Sequence, residues 1–442
     1  MNPIELRQNV DTIVVLILEN RSFDHVLGHL GHPDYGNRKD VNGIADLADP
    51  AFANPNASGV GVAPFFTRDA ALPSDLPHDS PEVKAQLAFA PIRNAFGMNG
   101  FVRAFEDKFH SNMDKPPVMG LLTPRDVPTT GPLADSFTVC DNWFACLPTS
   151  TAPNRLMSMC GYSELAETGS LLPDQYTVYH WLLDHEVRWR VYSGGLPFFA
   201  LMKSMAPLLL TGHFRGIDEL KKHLAQEDDG DWPQVIFVEP EYHDVPVHFM
   251  TPCDNHPPIP IRPGEAFLGR CYSWLRESAR WKRMVLVVTY DEHGGFFDHV
   301  PPLPVSYKNA KGSVSFDSTG PRTPAIVASP FAKRGVRHEH LDNTSILQLI
   351  AERFGNGGAY SDEVSNRHAQ GIVSASVLLD AGAGNKANPK VLTRMPPVAA
   401  LPPTPSSRLT SGFDAAAREL VARHGAEAVE QYPQLAPYRK KP

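Results

Sequence analysis

An unbroken apolar and β-branched run, Thr12 to Leu18, ends abruptly in Glu19-Asn20. The same design returns far downstream, where Met284 to Tyr290 runs into Asp291-Glu292-His293-Gly294-Gly295. Runs without polar alternation mark strands buried on both faces, as in parallel sheets covered by helices. Pro233 to Val238, running into Glu239, and Pro324 to Pro330 repeat the pattern, and Trp189 to Gly195 does so more weakly. Between them apolar residues recur at helical spacing. Phe267, Leu268, Cys271, Trp274 and Leu275 predict a helix within residues 264–281. Asn343-Thr344-Ser345 reads as the cap of a helix over 346–354, with Gly355 as its stop. Strand and helix therefore alternate, which predicts an α/β fold with a largely parallel central sheet flanked by helices on both faces. Ligands bind beyond the carboxyl ends of the strands in such sheets. Glu19, Asn20, Asp291 and Glu292 are thus expected at one rim, although they come from opposite ends of the chain.

Two segments lack this periodicity. Residues 28–100 are rich in Pro, Gly, Asn and Asp and read as a long insertion packed near the rim. Residues 366–409 turn to Ala, Ser, Pro and Gly, with linker-like Met395-Pro396-Pro397 and Leu401 to Pro405. An amphipathic stretch, Phe413 to His424, follows. The expected organisation is a catalytic domain over 1–365 and a Pro/Ala-rich extension over 366–442 with one short helix.

Composition narrows the function classes. A formal charge of −8 argues against a nucleic-acid surface and against broad attraction to anionic membranes. The one basic run, Arg439-Lys440-Lys441, reads as a solvated tail. No apolar run reaches the ~20 residues of a membrane span. Met1 to Gln8 shows no basic-then-apolar leader, so the expectation is a cytoplasmic protein or one exported without a recognisable signal. The five cysteines form no CxxC and are expected as reduced, mostly buried thiols.

The strand-end residues are all oxygen donors, a set that suits a hard or borderline divalent cation. One such end by itself would read as an acid capping loop amides. Two ends, with histidines near them, favour the metal reading. Leu147-Pro148-Thr149-Ser150-Thr151-Ala152-Pro153 sets three hydroxyls in a proline-flanked turn before a predicted helix. A helix N-terminus favours an anion, and metal coordination activates an otherwise weak hydroxyl nucleophile. On this segment alone a plain turn or N-cap is the alternative. His78 in the insertion, His256 in Asp254-Asn255-His256, and His299 after the second acid pair are imidazoles that could hold phosphate charge or protonate a leaving group.

Together these motifs resemble the bacterial phosphoesterase family that includes phosphatidylcholine-type phospholipases C and an acid phosphatase. Glu19-Asn20-Arg21-Ser22-Phe23-Asp24-His25 looks like its opening motif, and Thr151-Ala152-Pro153-Asn154-Arg155 like its nucleophile segment. Asp291 to Gly295 with Asp298-His299-Val300 resembles its second metal segment. Asp254 to Pro258, and Gly320-Pro321-Arg322 through Phe331, match in order. The resemblance spans about residues 10–360 and implies an alkaline-phosphatase-like core holding one divalent metal ion, with Ca, Zn, Mn and Fe all tolerated. It implies Glu19, Asn20, Asp291, Glu292 and Thr151 as ligands, and Thr151 as the nucleophile. His78 and His256 would touch the phosphate or assist the leaving group, with Asn154 and His299 as further substrate contacts. Thr149-Ser150 stand where the family usually has Gly-Pro, so three adjacent hydroxyls compete for the nucleophile's place.

The function expected is phospholipase C action on phosphatidylcholine-like diesters. The alternatives are an acid phosphatase acting on monoesters and a metal-dependent binding protein without turnover. Phe65-Phe66, Phe198-Phe199 and Phe296-Phe297 would line an apolar approach for a lipid, or belong to the core.

Overall fold

The apolar runs become the strands of one sheet. In the computed structural model, residues 1–442 are described except 227, 229, 356–357, 395–401 and 440–442. Met395-Pro396-Pro397, Leu401 and the Lys440-Lys441 part of the basic run lie outside the described residues. Among the described residues, the central sheet is built from β1 (Thr12–Leu18), β2 (Thr138–Cys140), β3 (Trp189–Ser193), β4 (Phe214–Gly216), β5 (Val235–Glu239), β6 (Met284–Tyr290), β7 (Ala325–Ala328) and β8 (Gly335–Arg337). Their order is β4-β3-β5-β1-β6-β7-β2-β8. Every pairing is parallel except those that β7 makes with β6 and β2.

All residues of β1, β5 and β6 are buried, because helices cover both sides. Successive side chains point to opposite faces of a strand, and the core divides accordingly. Ile13, Val15, Ile17, Val285 and Val287 face one cluster, whereas Val14, Leu16, Leu18, Leu286 and Val288 face another. The relevant helices are α1 (Phe23–Leu27), α2 (Ser80–Leu87), α3 (Thr151–Cys160), α4 (Arg262–Glu277), α5 (Thr344–Phe354) and α6 (Arg408–Gln431). Leu156 of α3, Ile350 of α5 and Phe413 of α6 join the first cluster; Phe23 of α1 and Leu268 of α4 join the second. This is the α/β class read from the chain. The edge strands β4 and β8, and β2 beside β8, were not legible there, being only three residues long.

The insertion over residues 28–100 makes a core of its own. Ile44, Leu76, Val83 and Leu87 pack with Phe296 and Phe297, which follow β6. The insertion is thereby fastened to the loop at the carboxyl end of β6. Phe198, Phe199, Phe296 and Phe297 are all core residues, and Phe65 and Phe66 are half-buried.

The C-terminal segment packs on the same core as the residues before it. Position 365 falls inside a helix, Asp362–Ala369, whose Arg367 pairs with buried Asp342. Ala375, Leu378 and Leu379 enter the main core, and the Met1 amino group donates to Ser376 O at 2.8 Å and Leu379 O at 2.6 Å. The short helix expected over 413–424 is the middle of the longer α6, which Ser407 caps and which kinks at Gly425. Leu409, Phe413, Ala417, Leu420 and Val421 give α6 a buried stripe at helical spacing against that core. Phe413→Ala should therefore lower global stability by about 3 kcal/mol in urea unfolding. A loss below about 1 kcal/mol, within the range of a surface change, would show that α6 folds independently of the sheet.

Candidate active site

Strand register brings the acids together. Leu18 of β1 pairs with Tyr290 of β6 in parallel, so Glu19 and Asp291 leave the sheet side by side. Asn20 then turns through a left-handed backbone (φ 59°), which Asn tolerates better than most residues. Its backbone N–H donates to Asp291 Oδ1 at 3.1 Å, and the Glu292 N–H donates to the same oxygen at 2.8 Å. Gly294 has φ 62°, and a Cβ there would strike the Asn20 carbonyl. The two loops touch because Gly294 has no side chain.

The three competing hydroxyls face different ways. Thr149 Oγ1 donates to Ala166 O at 2.6 Å, and Ser150 Oγ accepts from Thr168 N at 3.0 Å. Thr151, the first residue of α3, turns its Oγ1 to the Asn20 amide, 3.2 Å from Nδ2 and 3.3 Å from Oδ1. Asn154 points elsewhere: it accepts from Leu147 N at 2.9 Å and donates to Thr149 O at 2.9 Å and Ser150 O at 3.1 Å. It braces the turn that presents Thr151. Arg155, one residue on, places an Nη 3.0 Å from Glu19 Oε1 and its Nε 3.3 Å from Asp291 Oδ2. Phe198 and Tyr242 cover its guanidinium, with ring centroids at 5.2 Å and 5.6 Å. Arg155 stood in the sequence motif without an assigned role. It is the counter-ion of the rim.

The imidazoles gather around Asp75, which sequence reasoning missed. The acid-x-x-His spacing of Asp75 and His78 was its signal. Asp75 Oδ2 lies 3.7 Å from His78 Nδ1 and 3.9 Å from His256 Nε2. His78 Nδ1 donates to Leu76 O at 2.8 Å, so His78 Nε2 faces Glu292 Oε1 at 3.9 Å. The 254–256 turn is anchored to the rim: the Glu19 N–H donates to Asp254 O at 2.8 Å, and Asp254 Oδ1 accepts from His256 N at 3.1 Å. His293 Nε2 meets Gln86 Oε1 of α2 at 2.8 Å, and Gln86 Nε2 donates to Pro77 O at 2.6 Å. His299 is held elsewhere. Its Nδ1 lies 2.6 Å from Asp24 Oδ2, beside Arg322, which donates to Asp298 at 2.8 Å and Asp24 at 3.0 Å. None of these bonds reaches Thr151 or the strand-end acids.

Burial sets the proton affinities. It drives Glu19 well up against the opposing pull of Arg155, and it pushes Asp291 to about 6. Burial also opposes the charge on His256, but Asp75, Asp244, Glu19 and Asp254 outweigh it and raise that ring to about 10. The His78 ring is raised likewise: burial works against its charge, and Asp75 and Glu292 overcome it. Glu292 is lowered instead, since His78 and His293 offset its burial.

The donor set fits a divalent cation. Asp291 Oδ2 and Glu292 Oε1 are buried without a hydrogen-bond partner, and the guanidinium of Arg155 pairs with Glu19 and Asp291 but not with Glu292. Among the described residues, two groups of acids and histidines already hold ligand atoms within 4.8 Å of one another: Asp75-His78-His256 and Asp24-Asp298-His299. The second is closed by Arg322; the first borders Glu292. The strand-end acids are spread more widely, Glu19 being drawn to Arg155.

A hydroxyl at a helix N-terminus beside buried acids and raised imidazoles is a layout for phosphoryl chemistry. The profile of the Phosphoesterase family matches residues 10–356, and the chain belongs to that family. It is 30% identical over 355 residues to non-specific phospholipase C3 of Arabidopsis thaliana, covering 75% of this chain and 65% of that protein. It therefore spans just under two thirds of that relative. Phospholipase C B of Mycobacterium tuberculosis is 29% identical over 401 residues, covering 78% of this chain and 74% of that protein. Among solved structures, a protein in the alkaline phosphatase superfamily from Vibrio parahaemolyticus aligns with a TM-score of 0.34 at 11% identity, over 70% of this chain and 83% of that one.

The proton affinities carry a sign. The folded state holds the His256 proton more tightly than the unfolded chain, so this contribution is complete below pH 6.5 and is lost as pH rises through about 10. Asp291 acts in the same direction lower down, its share disappearing between pH 3.8 and about 6. In metal-free protein, NMR should find His256 still protonated at pH 8, and Asp75→Asn should lower its titration midpoint. A His256 that titrates near 6.5 in both proteins would remove Asp75 from this role.

Proposed function

We propose that this protein is a metal-dependent phosphoester hydrolase, most specifically a phospholipase C acting on phosphatidylcholine-like diesters through a Thr151 nucleophile. The observation that carries the reading is the sorting of the hydroxyls. Thr149 and Ser150 are committed to neighbouring loop groups, and Thr151 Oγ1 is the one turned to Asn20 at the acid rim. The names of the relatives support the substrate class.

Glu19, Asn20, Asp291 and Glu292, with Thr151 Oγ1, would hold the cation, which supplies charge for the phosphate and lowers the pKa of the hydroxyl. Asn20 and the α3 N-terminus orient Thr151 for in-line attack. The Thr151 Oγ–phosphorus bond forms as the bond to the alcohol breaks. The hydroxyl proton passes to solvent, and Thr151 attacks as the alkoxide, the form that a bound cation would favour. His78 Nδ1 is committed to Leu76 O, so His78 Nε2 is the atom that protonates the leaving alkoxide. His256, charged at neutral pH, holds the phosphate. Water then cleaves the phosphothreonine: His78 Nε2 takes a proton from it, and Thr151 regains its own.

The test is release of p-nitrophenol from p-nitrophenylphosphorylcholine by the full chain. Thr151→Val should cost at least about a thousandfold in kcat, with the fold intact, and Thr151→Ser should keep part of the activity. Chelation should abolish turnover and a divalent ion should restore it. An active Val variant would move the nucleophile elsewhere. Turnover of p-nitrophenyl phosphate alone, best at acid pH, would make the protein a phosphomonoesterase. Turnover of neither ester would leave a metal-dependent binding protein.

A further inference from the structure

A cavity of about 760 Å³ opens against α2, within the size range of small-ligand sites. Leu87, Phe89, Phe96, Pro148, Pro301 and Phe316 line it, with Lys84 and Asp317 among its polar residues. Its lining reaches both halves of the candidate site by chain continuity. Pro148 comes three residues before Thr151, and Ser80, also in the lining, two residues after His78.

A hairpin stands at the cavity's edge. Phe89 pairs with Phe96 and Ala90 with Ala95, and the two phenyl rings lie 4.9 Å apart. Arg93 N donates to Ala90 O at 3.1 Å and Asn94 N to Pro91 O at 3.2 Å, which closes the turn. At the tip Ile92 is fully exposed (101%), next to exposed Arg93, and Phe89 is 44% exposed. The base is firm: Phe96 packs on the insertion's core, and Gly97 N donates to Leu87 O at 3.0 Å. One exposed aliphatic residue is ordinary on a protein surface. This one ends an apolar run, Phe89-Ala90-Pro91-Ile92, whose Phe89 lines the cavity together with its partner Phe96. α2, at the hairpin's foot, is tied through Gln86 to Pro77 and His293.

We propose that residues 89–96 are an interfacial anchor for a zwitterionic phospholipid surface, and that the cavity at their base takes the acyl end of the lipid whose phosphate meets Thr151. The inference rests on the phosphodiesterase reading for the lipid's fate, but not for the anchoring itself. A formal charge of −8 gives the protein no general attraction to anionic bilayers. Adsorption must then come from apolar insertion, for which Ile92 and Phe89 are available, with Arg93 at the depth of the lipid phosphates.

Flotation with phosphatidylcholine vesicles reads anchoring without turnover. Ile92→Asp should cut both the vesicle-bound fraction and the rate on vesicles about tenfold, leave soluble p-nitrophenylphosphorylcholine turnover unchanged, and be rescued by Ile92→Trp. Ala95→Trp, which narrows the cavity, should slow vesicle hydrolysis while flotation persists. An Ile92→Asp protein that floats and hydrolyses like the parent overturns the anchor. Equal loss on soluble and vesicular substrate overturns it too. Unchanged vesicle hydrolysis by Ala95→Trp overturns the acyl-chain assignment. If the parent floats, Ile92→Asp does not, and neither hydrolyses any diester, the anchor stands and the phosphodiesterase reading falls.

Discussion

Glu19, Asp291 and Glu292 are cut off from water at the end of the sheet, and one guanidinium answers two of them. An unpaired buried charge is among the most destabilising features a fold can carry. Most of what surrounds the rim can be read as compensation. Arg155 is fixed by strand carbonyls, by two carboxylates and by the faces of Phe198 and Tyr242. Backbone amides of Asn20 and Glu292 converge on Asp291 Oδ1. The imidazoles of His78 and His256, both with raised proton affinity, stand opposite. Even so, Asp291 Oδ2 and Glu292 Oε1 remain without a hydrogen bond, which leaves negative charge for a cation to neutralise.

The same constraint ties distant parts of the chain to the rim. Phe413 of α6 lies 6.2 Å from the rings of both Phe198 and Tyr242, the pair that covers Arg155. Ser407 and Thr410 donate to Asp244, one of the carboxylates that keep His256 charged. The C-terminal segment therefore supports the residues that hold Glu19 and Asp291. The amphipathic stretch Phe413 to His424 signalled a face to bury but not its partner, because what a helix packs against is set by the tertiary fold and not by its neighbours in sequence.

Much of the candidate site was legible because strand ends are local events. A buried strand shows as an unbroken apolar run, and the residue that breaks it shows where the strand ends. Glu19, Asn20, Asp291 and Glu292 were found that way. Asp75 was not, since it lies in an aperiodic insertion and acquires a role only when His78 and His256 close on it. Asn154 and His299 were expected at the substrate. The fold gives them other partners: backbone groups of the 147–150 turn for Asn154, and Asp24 and Asn42 for His299.

The chain by itself determined the α/β class, the central strands and the oxygen-rich strand ends, because burial on two faces and the breaking of an apolar run are written residue by residue. Tertiary structure alone decided which of three neighbouring hydroxyls meets the rim, which guanidinium pairs with it, and which carboxylate stands between the two histidines. Those choices depend on distances of 3–4 Å between segments that lie more than a hundred residues apart in the chain.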